Sequence, residues 1–130
     1  MIIGIGIDVI DVERIRRAID DPKTGQRFRQ RVFTASEIVY CEGKRHGYAE
    51  SFAARFAAKE AVMKAIGRGF GEGVAWREIE VVRDVGAPML RLTGYAQTRG
   101  VELGITRWHL SLTHTATQAM AYVIAESEGG

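Results

Sequence analysis

The chain opens with the stretch GIGIDVIDV at residues 4–12, in which glycines and isoleucines alternate before two acids appear. The glycines and apolar residues of positions 1–9 predict a β-strand that another element approaches closely on one face. Asp8 lies in the middle of this strand, and a buried carboxylate costs free energy unless a cation or hydrogen-bond donors face it. The rest of the sequence must therefore supply a partner for Asp8.

The strongest helix signal is the segment SFAARFAAKEAVMKAI at residues 51–66, which Gly67 ends. At about 100° per residue, its large apolar side chains gather on one side and its alanines on another. A helix that is apolar on two sides is expected to be buried on both. Arg55, Lys59 and Glu60 nevertheless lie within or beside the large apolar stripe, and such residues are rarely buried without a partner.

Two interpretations of these charges remain open at this level. In the first, Glu60 and Lys64 form an exposed i, i+4 ion pair. The stems of Arg55 and Lys59 then cover apolar surface while their charges stay in water. In the second, Asp8 and Glu60 hold Mg²⁺, which favours one or two carboxylates together with phosphates and waters. The basic residues of the helix, helped by backbone N–H groups of the following glycine-rich turn, would then bind those phosphates.

The whole pattern predicts one α+β domain over residues 1–130, with a mainly antiparallel sheet packed on the long helix. The other predicted elements are a helix from Val12 capped by Asp11, a loop at 20–25, a helix from a capping box at 34–37, a break at 43–47, a hairpin of strands 79–82 and 89–92, a helix at 94–103 stopped by Gly104, and strands at 108–113 and 118–125. In strand 108–113, Trp108, Leu110 and Leu112 share one face.

The composition is that of an ordinary soluble globular protein, with 46% hydrophobic and 26% charged residues in a chain of 130. No apolar run approaches the roughly 20 residues that a membrane-spanning helix needs, and no signal peptide is expected. Cys41 is the only cysteine, which excludes a disulfide or a thiolate metal cluster within one chain. A reducing, cytoplasmic location is the default expectation.

A basic segment covers residues 12–31, where seven basic residues face three acidic ones. Such an excess is either a solvated helix face or a docking surface for an acidic partner. A nucleic-acid-binding module would place the same charges on backbone phosphates. The segment has few aromatic residues and no recognised nucleic-acid motif, so neither nucleic acid nor membrane is the expected partner.

Three blocks of sequence resemble the small bacterial 4′-phosphopantetheinyl transferases, the family of holo-acyl-carrier-protein synthases: GIGIDVIDVERI, FAARFAAKEAVMKAIGRGFG and LSLTHT. The blocks occur in the family's order and span almost the whole chain. The resemblance implies the family's fold and a Mg²⁺-dependent transfer of the phosphopantetheine arm of coenzyme A to a serine of apo acyl carrier protein, with release of adenosine 3′,5′-bisphosphate. It also implies a homotrimer with active sites at the subunit boundaries.

The resemblance further assigns roles to residues of this chain. It implies Asp8 and Glu60 as Mg²⁺ ligands, and Glu60 and Lys59 as catalytic residues. For the base that takes the serine proton, we choose Glu60 or a metal-bound water that it orients. The residues implied for coenzyme A binding are Lys44, Arg45, Arg55, Lys59, Lys64, Gly67, Gly69, Gly71, His114 and Thr115. Those implied for docking of acyl carrier protein are Arg14, Arg27 and Phe28. A structural trimeric protein with the same fold and an inactive site is the alternative, and the presence of Asp8, Lys59, Glu60 and His114 argues against it.

Overall fold

The computed structural model describes residues 1–83 and 86–128, and this part of the chain forms an α+β fold, as predicted. The helices are α1 (Val12–Asp20), α2 (Gly25–Val32), α3 (Ala35–Glu42), α4 (Tyr48–Ile66) and α5 (Gly94–Glu102). The strands are β1 (Ile2–Asp11), β2 (Ile79–Val82), β3 (Met89–Leu92), β4 (Arg107–His114) and β5 (Gln118–Glu126). The predicted domain 1–130 includes residues 84, 85, 129 and 130, which lie outside the described residues.

The five strands pair antiparallel, but they form two sheets rather than one. The larger sheet has the order β1-β5-β4, and the predicted hairpin β2-β3 stands apart from it. Trp108, Leu110 and Leu112 of β4 pack against the core from one face, which confirms the predicted alternation. The inner face of the larger sheet therefore covers α4, and its outer face is left open.

Strand β1 lies unusually close to helix α4. A Cβ added at Gly6 would overlap the carbonyl oxygen of Ala61, and one added at Gly4 would overlap that of Ala65. Small residues on both elements thus permit the close backbone approach that the sequence predicts. Because alternate residues of a strand share a face, Asp8 points to the same side as the two glycines and is brought to α4.

We expect Gly6→Ala to lower the free energy of unfolding by about 3 kcal/mol, because the added methyl group forces strand and helix apart. Urea denaturation measures this effect. Gly100→Ala is the matched control, since a Cβ there meets only the ring of Trp108 at 3.9 Å within helix α5. Alanine is the better helix former, so the control should be as stable as the wild type or slightly more so. Equal stability of the two variants would contradict this picture of the β1–α4 contact.

Helix α4 is buried along both sides, as predicted from its two apolar faces. It begins at Tyr48, three residues before the predicted start, because Gly47 takes a left-handed conformation with φ of 80° and no polar side chain marks the cap. Gly67, with φ of 69°, ends it as predicted. None of the helices in the described part of the chain is both long and apolar enough to cross a membrane.

The predicted caps are confirmed at two other helices. Asp11 accepts a hydrogen bond from the N–H of Glu13 at the start of α1, and Thr34 and Glu37 form a reciprocal capping box at α3. Helix α2 is not predicted from the sequence, in which residues 20–25 read as a loop and the following residues only as a basic segment. Its two apolar side chains, Phe28 and Val32, give too little periodicity to predict a helix, and packing against α1 supports the helix instead.

Candidate active site

The strand carboxylate Asp8 faces helix α4, with its side chain 16% exposed. Its Oδ1 accepts a hydrogen bond from the Nζ of Lys64 at 3.1 Å, and the same amine donates to the carbonyl oxygen of Ile7 at 3.0 Å. Lys64 lies in the last turn of α4 and is 54% exposed. The described structure thus gives Asp8 a lysine partner, one that the sequence assigns to phosphate binding rather than to Asp8.

Glu60 lies one turn before Lys64 on the same helix and is partly buried. Burial raises the pKa of the Glu60 carboxyl, and the negative charge of Asp8 raises it further. The positive charges of Lys64 and Arg14 act in the opposite direction. Lys64 bonds to Asp8 and follows Glu60 by one turn on the same face of α4, so the two carboxylates lie at the same part of the β1–α4 contact.

This carboxylate pair fits a divalent cation of the Mg²⁺ type. Asp8 and Glu60 provide hard oxygen ligands whose mutual repulsion a cation would relieve. Across residues 1–83 and 86–128, no group of three or more His, Cys, Asp or Glu side chains could hold a metal by itself. A cation at this pair would therefore take its remaining ligands from water and from substrate, which is the usual coordination of Mg²⁺ at phosphate-transfer sites.

A cleft of about 540 Å³ adjoins the carboxylate pair, and we call it the glycine-turn cleft. Its lining residues are Glu60, Met63, Lys64, Gly67, Arg68, Gly69, Phe70, Glu72 and Trp76. One wall is aromatic, since Trp76 stacks on Phe70 at a centroid distance of 5.5 Å and on the buried Phe56 at 4.9 Å. The cleft thus joins a charged end, suited to phosphates, to an apolar wall suited to an uncharged chain.

Two of the predicted turn glycines have local roles in this structure. The N–H of Gly69 donates to Oε1 of Glu72 at 2.9 Å, so a phosphate would have to replace that carboxylate as its acceptor. Gly71 takes a φ of 91° and does not belong to the cleft lining. Only Gly67 and Gly69 therefore lie where the predicted phosphate-binding role requires.

A second cleft of about 500 Å³, the basic cleft, collects predicted coenzyme A residues from α4, the loop before it and β4. Its lining residues are Tyr40, Lys44, His46, Gly47, Glu50, Ser51, Ala54, Arg55, Arg83, Leu112, Thr113 and His114. Lys44, Arg55 and His114 are the predicted members, while Arg83, His46 and Tyr40 were not singled out for binding. The fold thus brings together three of the predicted residues that are far apart in sequence.

Arg55 is the buried cation of this cleft, with only 3% of its surface exposed. It donates to the carbonyl and hydroxyl oxygens of Ser51, and its guanidinium lies 4.3 Å from the centre of the Tyr40 ring. Its Nε has no hydrogen-bond partner within the described residues. Burial by itself would raise the pKa of the Tyr40 hydroxyl, yet Lys44, Arg55 and Arg83 together lower it. The cleft therefore has a positive potential that favours an anion.

Arg45 and Thr115 are not among the residues that line either cleft. Arg45 is exposed in the loop before α4. The hydroxyl of Thr115 accepts hydrogen bonds from the N–H groups of Thr117 and Gln118, at 3.2 and 3.0 Å, and so closes the turn between β4 and β5. In this single chain the contacts of Thr115 are structural.

The surroundings of Lys59 differ from those expected for its predicted catalytic and phosphate-binding roles. Its side chain is fully buried, and its Nζ bonds to Oε1 of Glu37 at 2.7 Å and to the carbonyl oxygens of Trp76 and Ile79. Burial lowers the pKa of this amine, and the Glu37 carboxylate counteracts that effect. In this conformation the amine joins α4 to α3 and β2, and the catalytic and phosphate-binding roles of Lys59 stay predictions.

The sequence did not reveal Glu37 as the partner of Lys59, because Glu37 was accounted for by its capping box alone. Its Oε1 does accept from the N–H of Thr34, but its Oε2 accepts from the N–H of Val81 in β2. A lysine within an apolar helix face signals that a carboxylate must face it. The chain has 16 acidic residues, and only the fold selects one of them.

The predicted docking residues lie on neighbouring helices. Arg14 on α1 and Arg27 on α2 are exposed, and Phe28 is partly buried with its ring edge-on to Phe33 at 6.3 Å. Arg14 also lies close enough to lower the pKa of Glu60 by its charge. The basic segment therefore reaches from the surface of α2 to the edge of the carboxylate pair.

Comparisons with known proteins agree with this fold. The family model described as the 4′-phosphopantetheinyl transferase superfamily matches residues 4–124. A holo-[acyl-carrier-protein] synthase of Anaeromyxobacter sp. (strain K) is 48% identical over 133 residues, which cover 99% of each chain. The chain therefore belongs to the 4′-phosphopantetheinyl transferase superfamily, and it is an enzyme, a transferase.

Solved structures of similar proteins support the same conclusion. A holo-(acyl-carrier-protein) synthase of Bacillus anthracis, in complex with CoA (3′,5′-ADP), is 36% identical with a TM-score of 0.79, over 98% of this chain and 99% of that one. The holo-[acyl-carrier-protein] synthase of Neisseria meningitidis is 34% identical with a TM-score of 0.85, over 98% of this chain and all of the other. The fold described above is that of these synthases.

Proposed function

We propose that this protein transfers the 4′-phosphopantetheine group of coenzyme A to a serine of apo acyl carrier protein. The observation that carries the proposal is the carboxylate pair Asp8 and Glu60, with Lys64, at the charged end of the glycine-turn cleft. The similar Anaeromyxobacter protein is named for this activity, and the similar Bacillus anthracis structure holds coenzyme A. Both support the same substrates here.

Asp8 and Glu60 would hold Mg²⁺, which supplies polarisation of a phosphoryl oxygen and neutralisation of charge on the leaving group. Lys64 would place its amine on the pyrophosphate, since its half-exposed side chain is free to move. Arg55 and Lys44 in the basic cleft would bind the remaining phosphate of coenzyme A. The aromatic wall of Phe70 and Trp76 would shield the uncharged pantetheine arm from water.

The reaction needs positioning and charge neutralisation more than a nucleophile of the enzyme. The serine Oγ of the carrier protein forms a bond to the phosphorus next to pantetheine, and the bond from that phosphorus to the bridging oxygen breaks. Adenosine 3′,5′-bisphosphate leaves with that oxygen. Glu60, whose pKa is raised by burial and by Asp8, would take the serine proton at its carboxylate, directly or through one water.

The acidic carrier protein would dock on Arg14 of α1 and on Arg27 and Phe28 of α2, with the charge of Arg14 also acting on Glu60. We expect Arg14→Glu to raise the KM for carrier protein by about tenfold or more while changing the KM for coenzyme A less than threefold, because charge complementarity acts mainly on encounter. Steady-state kinetics with each substrate varied in turn measures both values. Arg17→Glu, the same charge reversal on the same helix, is the control, since Arg17 is 79% exposed and its Nε lies 3.7 Å from the carboxylate of Glu13.

A comparable rise in both KM values for Arg14→Glu would place the docking surface elsewhere. An equal effect of Arg14→Glu and Arg17→Glu would show that only net charge matters. The Arg14 effect should also shrink at high ionic strength, as expected for exposed charges.

We also propose a homotrimer, because the outer face of the larger sheet is apolar and open. Ile5, Ile7 and Val9 of β1 and Tyr122 of β5 are each about half exposed there, at 52, 50, 48 and 44%. Contiguous apolar surface of this kind marks an interaction site. The separation of the predicted coenzyme A residues into two clefts is consistent with a site that a neighbouring subunit completes.

We expect Ile7→Glu to dissociate the assembly, because it places a charge on this face without touching the inner face that carries Asp8. Sedimentation velocity measures the change, with a trimer expected for the wild type. Val101→Glu is the control, since Val101 is 70% exposed on α5, away from the sheet face. A monomeric wild type with full activity would contradict the trimer.

The proposed function is tested by incubating the protein with coenzyme A, apo acyl carrier protein and Mg²⁺ and measuring adenosine 3′,5′-bisphosphate by chromatography. We expect adenosine 3′,5′-bisphosphate to be released only when the carrier protein is present, and we expect this release to stop when a chelator removes the metal. Release without carrier protein would indicate hydrolysis instead of transfer. No release under any condition would overturn the proposal.

A further inference from the structure

Lys64 does more in this structure than its expected role on a pyrophosphate would require. Its Nζ is held by two acceptors of β1, Oδ1 of Asp8 at 3.1 Å and the carbonyl oxygen of Ile7 at 3.0 Å. Its charge also offsets the repulsion between Asp8 and Glu60. The amine therefore touches a predicted metal ligand and occupies the electrostatic role that a metal would have.

A lysine in this position opposes the binding of a divalent cation. The ammonium group holds one of the two Asp8 oxygens that a cation could use, and its charge of +1 repels one of +2. The lysine can leave easily, since its side chain is half exposed on a flexible four-carbon stem. Lys59, one turn earlier, has no such freedom because it is fully buried with Glu37.

We propose that Lys64 is an internal counterion, which neutralises the Asp8–Glu60 pair while the metal is absent and leaves Asp8 when a divalent cation binds. This inference rests on the metal site of the proposed function. The released amine then binds the pyrophosphate of the donor, which prevents its return. Metal and donor consequently bind cooperatively. Binding of the metal releases the Lys64 amine for the donor, and binding of the donor keeps that amine away from Asp8.

The consequence can be measured without catalysis. Wild-type protein should bind Mg²⁺ weakly by itself and more tightly in the presence of coenzyme A, and linkage requires Mg²⁺ to raise the affinity for coenzyme A by the same factor. In Lys64→Met, the opposing charge is gone, so Mg²⁺ alone should bind about three to ten times more tightly than to the wild type at low ionic strength. The gain in Mg²⁺ affinity on adding coenzyme A should be smaller in this variant.

The test is isothermal titration of Mg²⁺ into wild type, Lys64→Met, Lys64→Arg and Arg68→Gln, each with and without coenzyme A. Lys64→Arg keeps the charge and should resemble the wild type without coenzyme A. Arg68→Gln removes a charge from the same cleft, but Arg68 bonds to the carbonyl of Gly67 rather than to Asp8, so its Mg²⁺ affinity should change less than twofold. Circular dichroism confirms that each variant is folded.

Tighter Mg²⁺ binding by Lys64→Met only, with a reduced effect of coenzyme A, supports the inference. Equal Mg²⁺ affinity of Lys64→Met and wild type overturns it while leaving the metal site intact. Weaker binding by Lys64→Met also overturns it, since the lysine would then assemble the site rather than compete with the metal. If neither the wild type nor any variant binds Mg²⁺, with or without coenzyme A, the metal site of the proposed function fails as well.

Discussion

Glu60→Gln is expected to lower the rate of Mg²⁺-dependent transfer by about a thousandfold while leaving the fold unchanged. The amide has nearly the volume of the carboxylate, but it removes the proposed charged metal ligand and the proposed proton acceptor at once. A thousandfold loss corresponds to about 4 kcal/mol of transition-state stabilisation, within the several kcal/mol that a metal ion supplies. Release of adenosine 3′,5′-bisphosphate measures the rate, and titration with Mg²⁺ measures the lost metal affinity.

The matched control is Glu102→Gln, the same substitution at an exposed position of α5, where Glu102 pairs only weakly with Arg99 at 3.9 Å. It should leave rate and metal binding within about twofold of the wild type, since exposed substitutions of this kind have little effect. Wild-type turnover by Glu60→Gln would refute the assignment of Glu60. Normal Mg²⁺ binding with lost turnover would keep Glu60 as a base but remove it from the metal.

Lys59→Met is expected to lower the free energy of unfolding by about 3–5 kcal/mol, because it leaves the Glu37 carboxylate buried without its cation. It also leaves the carbonyl oxygens of Trp76 and Ile79 without their donor. Urea denaturation monitored by circular dichroism measures the loss. Lys64→Met is the control on the same helix, and there the loss should stay below about 1 kcal/mol, because the Asp8–Lys64 pair is partly exposed.

Comparison of the two lysine variants separates a structural role of Lys59 from a catalytic one. If Lys59→Met is as stable as the wild type but loses transfer activity, the catalytic role that the family resemblance implies for Lys59 is right and the buried pair is dispensable. If it is destabilised, and its remaining folded fraction transfers at the wild-type rate, Lys59 acts through the fold alone.

The sequence predicted the elements whose patterns are strong and local. Residues of β1 alternate with period two, and α4 has two apolar faces. Because the glycines of β1 match the alanines of α4, the close contact that brings Asp8 to α4 was foreseeable. The capping box at Thr34 and the stop at Gly67 were equally local signals. Tyr48 as the first residue of α4 was not foreseeable, since Gly47 caps the helix by backbone conformation rather than by a side chain.

What the sequence could not provide is the choice among partners. Lys59 clearly needed a carboxylate and Asp8 a cation, but the pairs formed with Glu37 and Lys64 depend on how α3, β1 and α4 pack. Helix α2 depends likewise on packing against α1. The basic cleft is a further example, because Arg83 reaches it from the end of β2 and carries no motif of its own.

The central claim is that Asp8 and Glu60 hold a cation which drives transfer of a phosphopantetheinyl group to a carrier protein. Intact-mass spectrometry of apo acyl carrier protein, after incubation with coenzyme A and the pure enzyme, tests it most directly. With Mg²⁺ and the wild type, the carrier should gain the mass of one phosphopantetheinyl group. The carrier should not gain this mass when a chelator is present, or when Asp8→Asn or Glu60→Gln replaces the wild type. An unchanged carrier mass with the wild type and Mg²⁺, or full modification by both variants, would contradict the account.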